Sequence, residues 1–196
     1  MIVHIVEPSV QILTSRSDIE DFPKRIERAG RVCYRSEHKT TENSSDDFIR
    51  KIVSRGHDSV LEHCSVTCLF TISRACSHQL VRHRLASYSQ ESQRYNSYSE
   101  SIRIIIPQNI TKEKLKLFMN SVNIAIETYK DLVSTKTKLE DARYILPNCI
   151  ASDIVATFNI RELRHIFSIR QWEIRNVFKK LFEELNILVP CLFVSI

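Results

Sequence analysis

Apolar residues recur at helical spacing in the first third of the chain. The stretch after Pro23 is predicted to be a helix, because its apolar positions lie three or four residues apart: Ile26, Ala29, Val32 and Cys33. Residues 17–20 precede it with the Ser-x-x-Glu form of a capping box. A second helix is predicted from Ser45 to about Arg55, where Gly56 can end it and one face is apolar: Phe48, Ile49, Ile52 and Val53.

The period of the apolar positions changes to two between residues 64 and 72. Five apolar residues fall on one face of this stretch, opposite serine and threonine: Cys64, Val66, Cys68, Phe70 and Ile72. We therefore predict a strand with one buried face. Short apolar runs predict two further strands, at 102–106 and at 154–158.

The second half of the chain contains two long amphipathic patterns, which predict helices at 111–134 and 171–188. No internal repeat or low-complexity linker separates the elements. We therefore predict a mixed α/β (α+β) fold in a single domain spanning residues 1–196, with a central sheet flanked by long helices. The apolar stripes are wider than one small core needs, so we also expect a homo-oligomer.

Composition and charge fit a globular protein with anionic ligands. Of the 196 residues, 43% are apolar and 26% are charged, which leaves little room for disorder. The formal charge of +5 favours anionic partners, but the basic residues form no block typical of a nucleic-acid-binding tail. The sequence shows no targeting segment and no apolar run near the roughly 20 residues of a membrane span. We expect a cytoplasmic protein that does not contact a membrane.

Cysteine and glycine usage narrows the possible chemistry. The six cysteines are scattered through the chain, so we expect free buried thiols rather than a disulfide framework. Cys64 and Cys68 lack a second close pair of ligands, and no metal site is predicted. The chain has only two glycines, too few for a P-loop or a G-x-G-x-x-G turn. Any phosphate must therefore be held by side chains and helix amino termini.

The segment from residue 79 to residue 95 is polar and dense in hydrogen-bond donors. It follows an apolar run at 75–81. If that run ends a helix, Arg82 and Arg84 arrive at one place, where each guanidinium group can hold two phosphate or carbonyl oxygens. The alternation of Gln90, Ser92 and Arg94 predicts three side chains on one side of an extended segment.

Further arginines lie beside apolar segments, at Arg143, Arg161 and Arg170. Arginines are costly to place near a core unless an anionic group pairs with them. Together with the polar segment they favour a nucleotide ligand. Two alternatives use the same residues: a solvated basic turn, and a nucleic-acid-binding module in which Tyr88, Tyr95 and Tyr98 stack on bases. Because the charge forms no continuous stripe, we expect no nucleic-acid partner.

Four blocks of the sequence are similar to one family. Arg82-His83-Arg84, followed after seven residues by Ser92, resembles the signature of flavin-dependent thymidylate synthases, and the match continues through Tyr95. Blocks at 56–63 and 141–147 resemble further family motifs, as do residues 159–165 with 171–175. The resemblance covers nearly the whole chain, with its blocks in the expected order.

The resemblance implies an enzyme that converts dUMP to dTMP. The carbon would come from methylenetetrahydrofolate and the reducing equivalents from NADPH through bound FAD. A homotetramer with active sites between subunits is also implied. The implied FAD ligands are Ser59, Arg82, His83, Arg84, Gln90, Asn159, Arg161 and His165. The implied dUMP ligands are Gln79, Arg82, Gln90, Glu91, Ser92, Gln93, Arg94, Arg143 and Arg170.

Arg170 is the implied catalytic residue. An arginine at the edge of uracil would stabilise negative charge on N3 and O4 and so raise the electron density at C5. Ser92 is assigned to substrate binding, because no neighbouring histidine and carboxylate form a triad with it. Gln171 follows Arg170 directly, where members of the family usually have several more residues, so a flavin-side loop is expected to be short. A family member that binds FAD or nucleotide without turnover is the alternative.

Overall fold

Two sheets organise the strands of the protein. The computed structural model describes residues 2–169 and 172–194. In chain order the strands are β1 (Ile2–Ile5), β2 (Ser9–Ile12), β3 (Ser65–Ser73), β4 (Ala86–Gln90), β5 (Ser101–Ile104) and β6 (Ala151–Asn159). Strands β1 and β5 pair in parallel, with Ile2 beside Ser101, and the other sheet has the order β2-β3-β6-β4.

Helices fill most of the sequence between these strands. They are α1 (Arg16–Glu20), α2 (Phe22–Val32), α3 (Ser45–Ser54), α4 (Arg74–Leu80), α5 (Lys112–Ser134), α6 (Leu139–Ala142), α7 (Ile160–Ile169) and α8 (Trp172–Leu188). Short 3₁₀ turns occur at Glu37–Lys39, Asp58–His63, Arg143–Ile145 and Pro190–Phe193. The predicted mixed α/β class is confirmed. Across the described ranges, no helix combines the length and hydropathy that a membrane span requires.

The strongest periodic patterns predicted their elements well. Strand β3 buries the residues that the period-two pattern placed on one face, Val66, Cys68, Phe70 and Ile72. Helices α3, α5 and α8 lie within one residue of their predicted bounds. Gly56 follows α3 with φ +70, a conformation that a side chain rarely allows. The predicted strand at 154–158 is the second half of the longer β6.

The prediction was wrong about the start and the buried face of the first helical region. Ser15, not Ser17, caps α1, since its Oγ accepts a hydrogen bond from Asp18 N at 3.2 Å. Helix α2 leaves Val32 60% exposed. Ile26 is buried as predicted, but the rest of the buried face includes the charged residues Glu27 and Arg31, which pair with each other at 2.6 Å. A pattern that counts only apolar residues cannot see this pair.

The contacts divide the chain into two compact units. The first comprises the described residues up to Ser9, with Phe70–Arg82 and Ser89–Ile154. Its core packs helix α5 on strand β5 and neighbouring residues, and includes Ile102, Ile104, Val122, Ile126, Tyr129 and Ile150. The second comprises Val10–Leu69, His83–Tyr88 and the described residues from Val155 onward.

Aromatic side chains join α7, α8 and the carboxy-terminal 3₁₀ turn in the second unit. The rings of Phe158, Phe167, Phe178, Phe182 and Phe193 meet in successive edge-on or tilted pairs, with centroids 5.2 to 6.1 Å apart. Such pairs contribute roughly 0.5 to 1.5 kcal/mol each beyond the area they bury. The cluster supports α7, which carries two predicted cofactor ligands, Arg161 and His165.

Candidate active site

The two compact units separate the predicted ligand sets. The described dUMP ligands lie in the first unit: Gln79, Arg82, Gln90, Glu91, Ser92, Gln93, Arg94 and Arg143. The FAD ligands that are not shared with dUMP lie in the second: Ser59, His83, Arg84, Asn159, Arg161 and His165. Arg170, predicted to be catalytic, lies outside the described residues, as does Gln171.

Helix α7 begins directly where strand β6 ends. Asn159 closes the strand, and its Oδ1 accepts a hydrogen bond from Glu162 N at 2.8 Å. The backbone N of Ile160 donates to Cys64 O at 3.0 Å. Asn159 therefore caps the helix in the manner preferred for asparagine and fixes the first turn of α7.

Glu162, on that first turn, orients His83. The Nδ1 atom of His83 lies 3.0 Å from Glu162 Oε1, and only 18% of the histidine side chain and 8% of the glutamate side chain are exposed. Since Nδ1 is engaged, the Nε2 atom is directed away from Glu162. Sequence analysis assigned no role to Glu162. Its position inside the block at 159–165 was the only signal for it.

Two aromatic side chains complete the surroundings of His83. The hydroxyl of Tyr88 donates to His83 O at 2.7 Å. Burial raises the pKa of Tyr88, and the nearby Glu162 carboxylate raises it further, so the phenol stays protonated as a donor. The ring of His165 lies edge-on to His83, with centroids 6.2 Å apart. His83 and His165, two predicted FAD ligands, are thus neighbours.

The remaining predicted FAD ligands of the second unit are at the surface. Ser59, Arg84 and Arg161 are exposed. Arg161 hydrogen-bonds Glu62, which raises the pKa of Arg161 and keeps its charge. A third arginine, Arg164, is turned inward and donates to Leu192 O and Val194 O. Exposed guanidinium groups together with a serine hydroxyl are suitable donors for a ligand phosphate.

Gln90, the last residue of β4, is held from inside the first unit. Its Nε2 atom donates to Ser77 Oγ at 2.8 Å and to Ser152 Oγ at 3.1 Å, and both serines are fully buried. An amide nitrogen carries two protons, and both are used here. The carbonyl oxygen of Gln90 can therefore serve as the acceptor for a ligand.

The chain turns after Gln90, so the predicted extended segment through Arg94 is wrong. Asn96 N donates to Ser92 O at 3.1 Å, and Arg94 N donates to Ser92 Oγ at 3.2 Å. Serine stabilises such turns by bonding the backbone two residues ahead, a local competitor to strand pairing. Gln93 is buried within the turn and Arg94 is exposed.

Arg94 and Arg143, predicted from separate motifs, meet at one residue. Arg94 Nη2 lies 3.1 Å from Glu140 Oε2, and Arg143 Nε donates to Glu140 O at 3.2 Å. Each guanidinium group also lies near an adjacent tyrosine ring, at 5.7 Å from Tyr95 and 6.0 Å from Tyr144. Arg94 pairs with the Glu140 carboxylate, whereas Arg143 bonds only the backbone carbonyl of that residue and keeps its charge available to an anionic ligand.

Helix α4 ends at Leu80, which confirms the prediction that the apolar run at 75–81 ends a helix just before Arg82. Arg82 N donates to Gln79 O at 3.1 Å, and both side chains are exposed. The contacts among the described residues do not join Arg82 to Arg94 or Arg143. Arg82 and Gln79 thus form the exposed end of α4.

The cysteines provide no reactive nucleophile among the buried thiols. All six, each within the described ranges, are free, and five are buried. The prediction was wrong for Cys33, which is exposed because the buried face of α2 differs from the predicted one. Burial raises the pKa of Cys64 to about 11 and that of Cys68 to about 12. In the described part of the chain, no three His, Cys, Asp or Glu side chains are grouped to hold a metal ion.

Known proteins with similar sequences share one description. The family model Thy1, described as thymidylate synthase complementing protein, matches residues 16–191. A flavin-dependent thymidylate synthase of Geobacter sulfurreducens is 38% identical over 180 residues, which cover 84% of this chain and 78% of the relative. A protein of the same description from Pyrococcus furiosus is 40% identical over 161 residues, which cover 75% of this chain but only 65% of the relative.

Solved structures agree with this relationship at the level of the fold. A UMP/dUMP methylase, PolB from Streptomyces cacaoi bound with 5-Br dUMP, superposes with a TM-score of 0.82 at 23% identity, over 97% of this chain and 95% of that chain. Thymidylate Synthase X from Helicobacter pylori with FAD and dUMP gives a TM-score of 0.74 at 20% identity, over 96% and 100%. The motifs, the fold and the sequence identity agree, and the chain belongs to the family of flavin-dependent thymidylate synthases.

Proposed function

We propose that this protein converts dUMP to dTMP, with methylenetetrahydrofolate as the carbon donor and NADPH-reduced FAD as the hydride donor. The relatives are named for thymidylate synthesis with a flavin, and the Helicobacter pylori structure contains FAD and dUMP. The observation that carries the proposal is the meeting of Arg94 and Arg143 at Glu140. It joins two motifs that the resemblance independently assigns to dUMP.

In the first unit the nucleotide is held by charge and by hydrogen-bond geometry. Arg94 and Arg143 are proposed to bind its phosphate, with Gln79 and Arg82 contributing from the end of α4. The Gln90 carbonyl oxygen accepts a hydrogen bond from an N–H group of the base. Residues 91–93 contribute from the turn that follows, where Ser92 binds substrate and performs no nucleophilic step. Because the uracil ring is held in place on binding, less translational and rotational entropy is lost at the chemical step.

The second unit has donors that fit FAD. Arg84, Arg161 and Ser59 are exposed and can hold the pyrophosphate by side chains, in a chain whose two glycines cannot form a phosphate-binding loop. His83, His165 and Asn159 are proposed to orient the ring system. When bound, FAD supplies the hydride chemistry, and the protein supplies position and charge.

Arg170 is proposed as the catalytic residue that stabilises charge on the uracil edge during carbon transfer. We further propose that residues 1–196 act as one domain, that the protein is cytoplasmic, and that it forms a homotetramer with active sites between subunits. Sedimentation equilibrium at micromolar concentration tests the assembly. A monomer at that concentration would exclude the tetramer.

The purified protein provides a direct test of the reaction. The protein should be yellow, NADPH should bleach its flavin absorption, and dTMP should form when dUMP and methylenetetrahydrofolate are added. Deuterium on the reduced flavin should enter the product. A colourless protein that takes up no FAD would refute the proposal. Flavin that is bleached without dTMP formation would support the alternative of a family member that binds FAD or nucleotide without turnover. The direct succession of Arg170 and Gln171 in the sequence is the feature that favours this alternative.

A further inference from the structure

The carboxylate of Glu91 is occupied by groups of the protein itself. Its Oε1 accepts a hydrogen bond from Tyr98 OH at 3.1 Å, and its Oε2 accepts one from Asp153 N at 3.3 Å. Arg103 Nη2 lies 3.5 Å from the same Oε2. The backbone of Glu91 returns the contact, because Glu91 N donates to Asp153 O at 2.8 Å. The side chain and the backbone of Glu91 therefore both hydrogen-bond to the backbone of Asp153 on β6.

Asp153 is itself fixed by two other strands. Its carboxylate accepts hydrogen bonds from Arg103 Nη2 at 2.9 Å, from Arg103 Nη1 at 3.3 Å, and from Thr71 Oγ1 at 2.7 Å. Partial burial opposes ionisation of Asp153, but the hydrogen bonds from Arg103 and Thr71 outweigh it and lower its pKa. Arg103 lies on β5, Thr71 lies on β3 and Asp153 lies on β6. Residues of three strands therefore form the network that holds Glu91.

Tyr98 anchors the other end of the turn that starts at Glu91. Tyr98 is 8% exposed, and its backbone N donates at 3.3 Å to the hydroxyl of Tyr129 on the long helix α5. Burial raises the pKa of Tyr98, and the Glu91 carboxylate raises it further, so the hydroxyl remains a donor. Of the residues between Glu91 and Tyr98, residues 92–94 are predicted to bind the nucleotide.

We propose that Glu91 is a positioning residue and not a ligand of the nucleotide. With Tyr98, Arg103 and Asp153 it sets the backbone of residues 90–94, so that Gln90 and Arg94 meet dUMP in the correct geometry. To contact dUMP, the carboxylate would have to leave three partners, each loss leaving a partly buried polar group unsatisfied. This inference rests on the proposed function, and it changes the role that the resemblance implied for Glu91.

A double-mutant cycle on the FAD-loaded protein tests the proposal. Glu91→Gln, Tyr98→Phe and the double variant are compared by kcat and by KM for dUMP, with flavin content and melting temperature measured alongside. Since each single change weakens the same hydrogen bond, each should raise KM roughly three- to tenfold. The double variant should resemble the single variants, because the two residues act as one unit. Flavin content should not change.

Matched controls use the same substitutions at exposed partners. Glu20→Gln loosens the surface pair with Arg16, and Tyr34→Phe removes a hydroxyl that is 3.5 Å from His57 Nδ1. Both should leave KM unchanged. Tyr98→Phe removes one oxygen atom only, so it reports on the network even where Glu91→Gln folds poorly.

The outcomes separate this proposal from the proposed function. If the increases in KM caused by the two single substitutions multiply in the double variant, Glu91 acts on the substrate independently of Tyr98. The positioning role would then be wrong. Lower melting temperatures with an unchanged KM would show a purely structural network and would also overturn it. Wild-type protein that binds flavin but no dUMP would instead refute the proposed function, and this inference with it.

Discussion

Removing the carboxylate of Glu162 should weaken FAD binding through its effect on His83. The hydrogen bond between them is 3.0 Å long and largely shielded from water. Hydrogen bonds to charged groups contribute about 1.5 to 3 kcal/mol. If all of that energy serves to orient the His83 ring for FAD, Glu162→Leu should raise the Kd for FAD by roughly 10- to 150-fold, since about 1.4 kcal/mol corresponds to a factor of ten. This range is an upper limit.

Glu162→Gln separates orientation from charge. The amide oxygen can still accept a hydrogen bond from His83 Nδ1, and a neutral hydrogen bond contributes about 1 kcal/mol less than a charged one. We therefore expect a rise in Kd of roughly fivefold or less for this variant. Titration of the apoprotein with FAD, followed by quenching of flavin fluorescence, measures both constants. Glu20→Gln at the exposed Arg16 pair provides the control.

Two results would contradict the reasoning. If both Glu162 variants bind FAD as tightly as the wild-type protein, His83 does not depend on Glu162 for its orientation. If Glu162→Gln is as weak as Glu162→Leu, the charge of the carboxylate matters and the geometry does not. Far-UV circular dichroism of each variant would separate either result from unfolding, because the helical signal of the protein should not change while Asn159 still caps α7.

Four further predictions concern stability, reactivity and catalysis. Glu27→Leu should lower the free energy of unfolding by about 3 to 5 kcal/mol in urea titration, because it leaves Arg31 buried without its partner, whereas Glu27→Leu with Arg31→Met should recover most of the loss. Iodoacetamide should label Cys33 first in the native protein and all six thiols after unfolding, as read by mass spectrometry. Arg170→Ala should keep flavin and lose about 2.7 to 4 kcal/mol of transition-state stabilisation, and near-normal turnover would show that another residue has this role. The lowered pKa of Asp153 stabilises the fold above about pH 4 and should cease to do so as pH falls through its native pKa, so the stability difference between wild type and Asp153→Asn should shrink in acid.

The elements that the sequence predicted well are those whose pattern is long and regular. Strand β3 keeps a period of two across nine residues, and α5 keeps an apolar stripe across 23. Strands β1 and β2 have four residues each and a mostly exposed pattern, so they give no such signal. Strand β4 is polar and was not predicted, and only its last residue, Gln90, was placed in an extended segment. Its true end is set by the turn at Ser92, a local side-chain effect that binary patterning does not contain.

The family signature identified candidate ligands, but the orientation of each ligand depends on residues distant in sequence. His83 and Glu162 are 79 positions apart, and Glu91 and Asp153 are 62 apart. No local period links such pairs. Such pairs can be identified only from the folded structure, in which β6 brings Asp153, and the helix after it brings Glu162, next to residues of the polar segment.

A chain with two glycines cannot form a glycine-rich phosphate-binding loop, so it must rely on side chains and helix amino termini. Long side chains lose rotamer freedom when they bind, which reduces affinity unless they are held beforehand. The structure provides such restraint: Glu140 holds Arg94, Glu162 holds His83, and two buried serines hold Gln90. Under the proposed function, the acidic and hydroxyl residues that hold these side chains contribute to binding although they carry no positive charge. Removing any one of these residues should weaken the binding of nucleotide or FAD, because the side chain that it holds would then have to be ordered on binding.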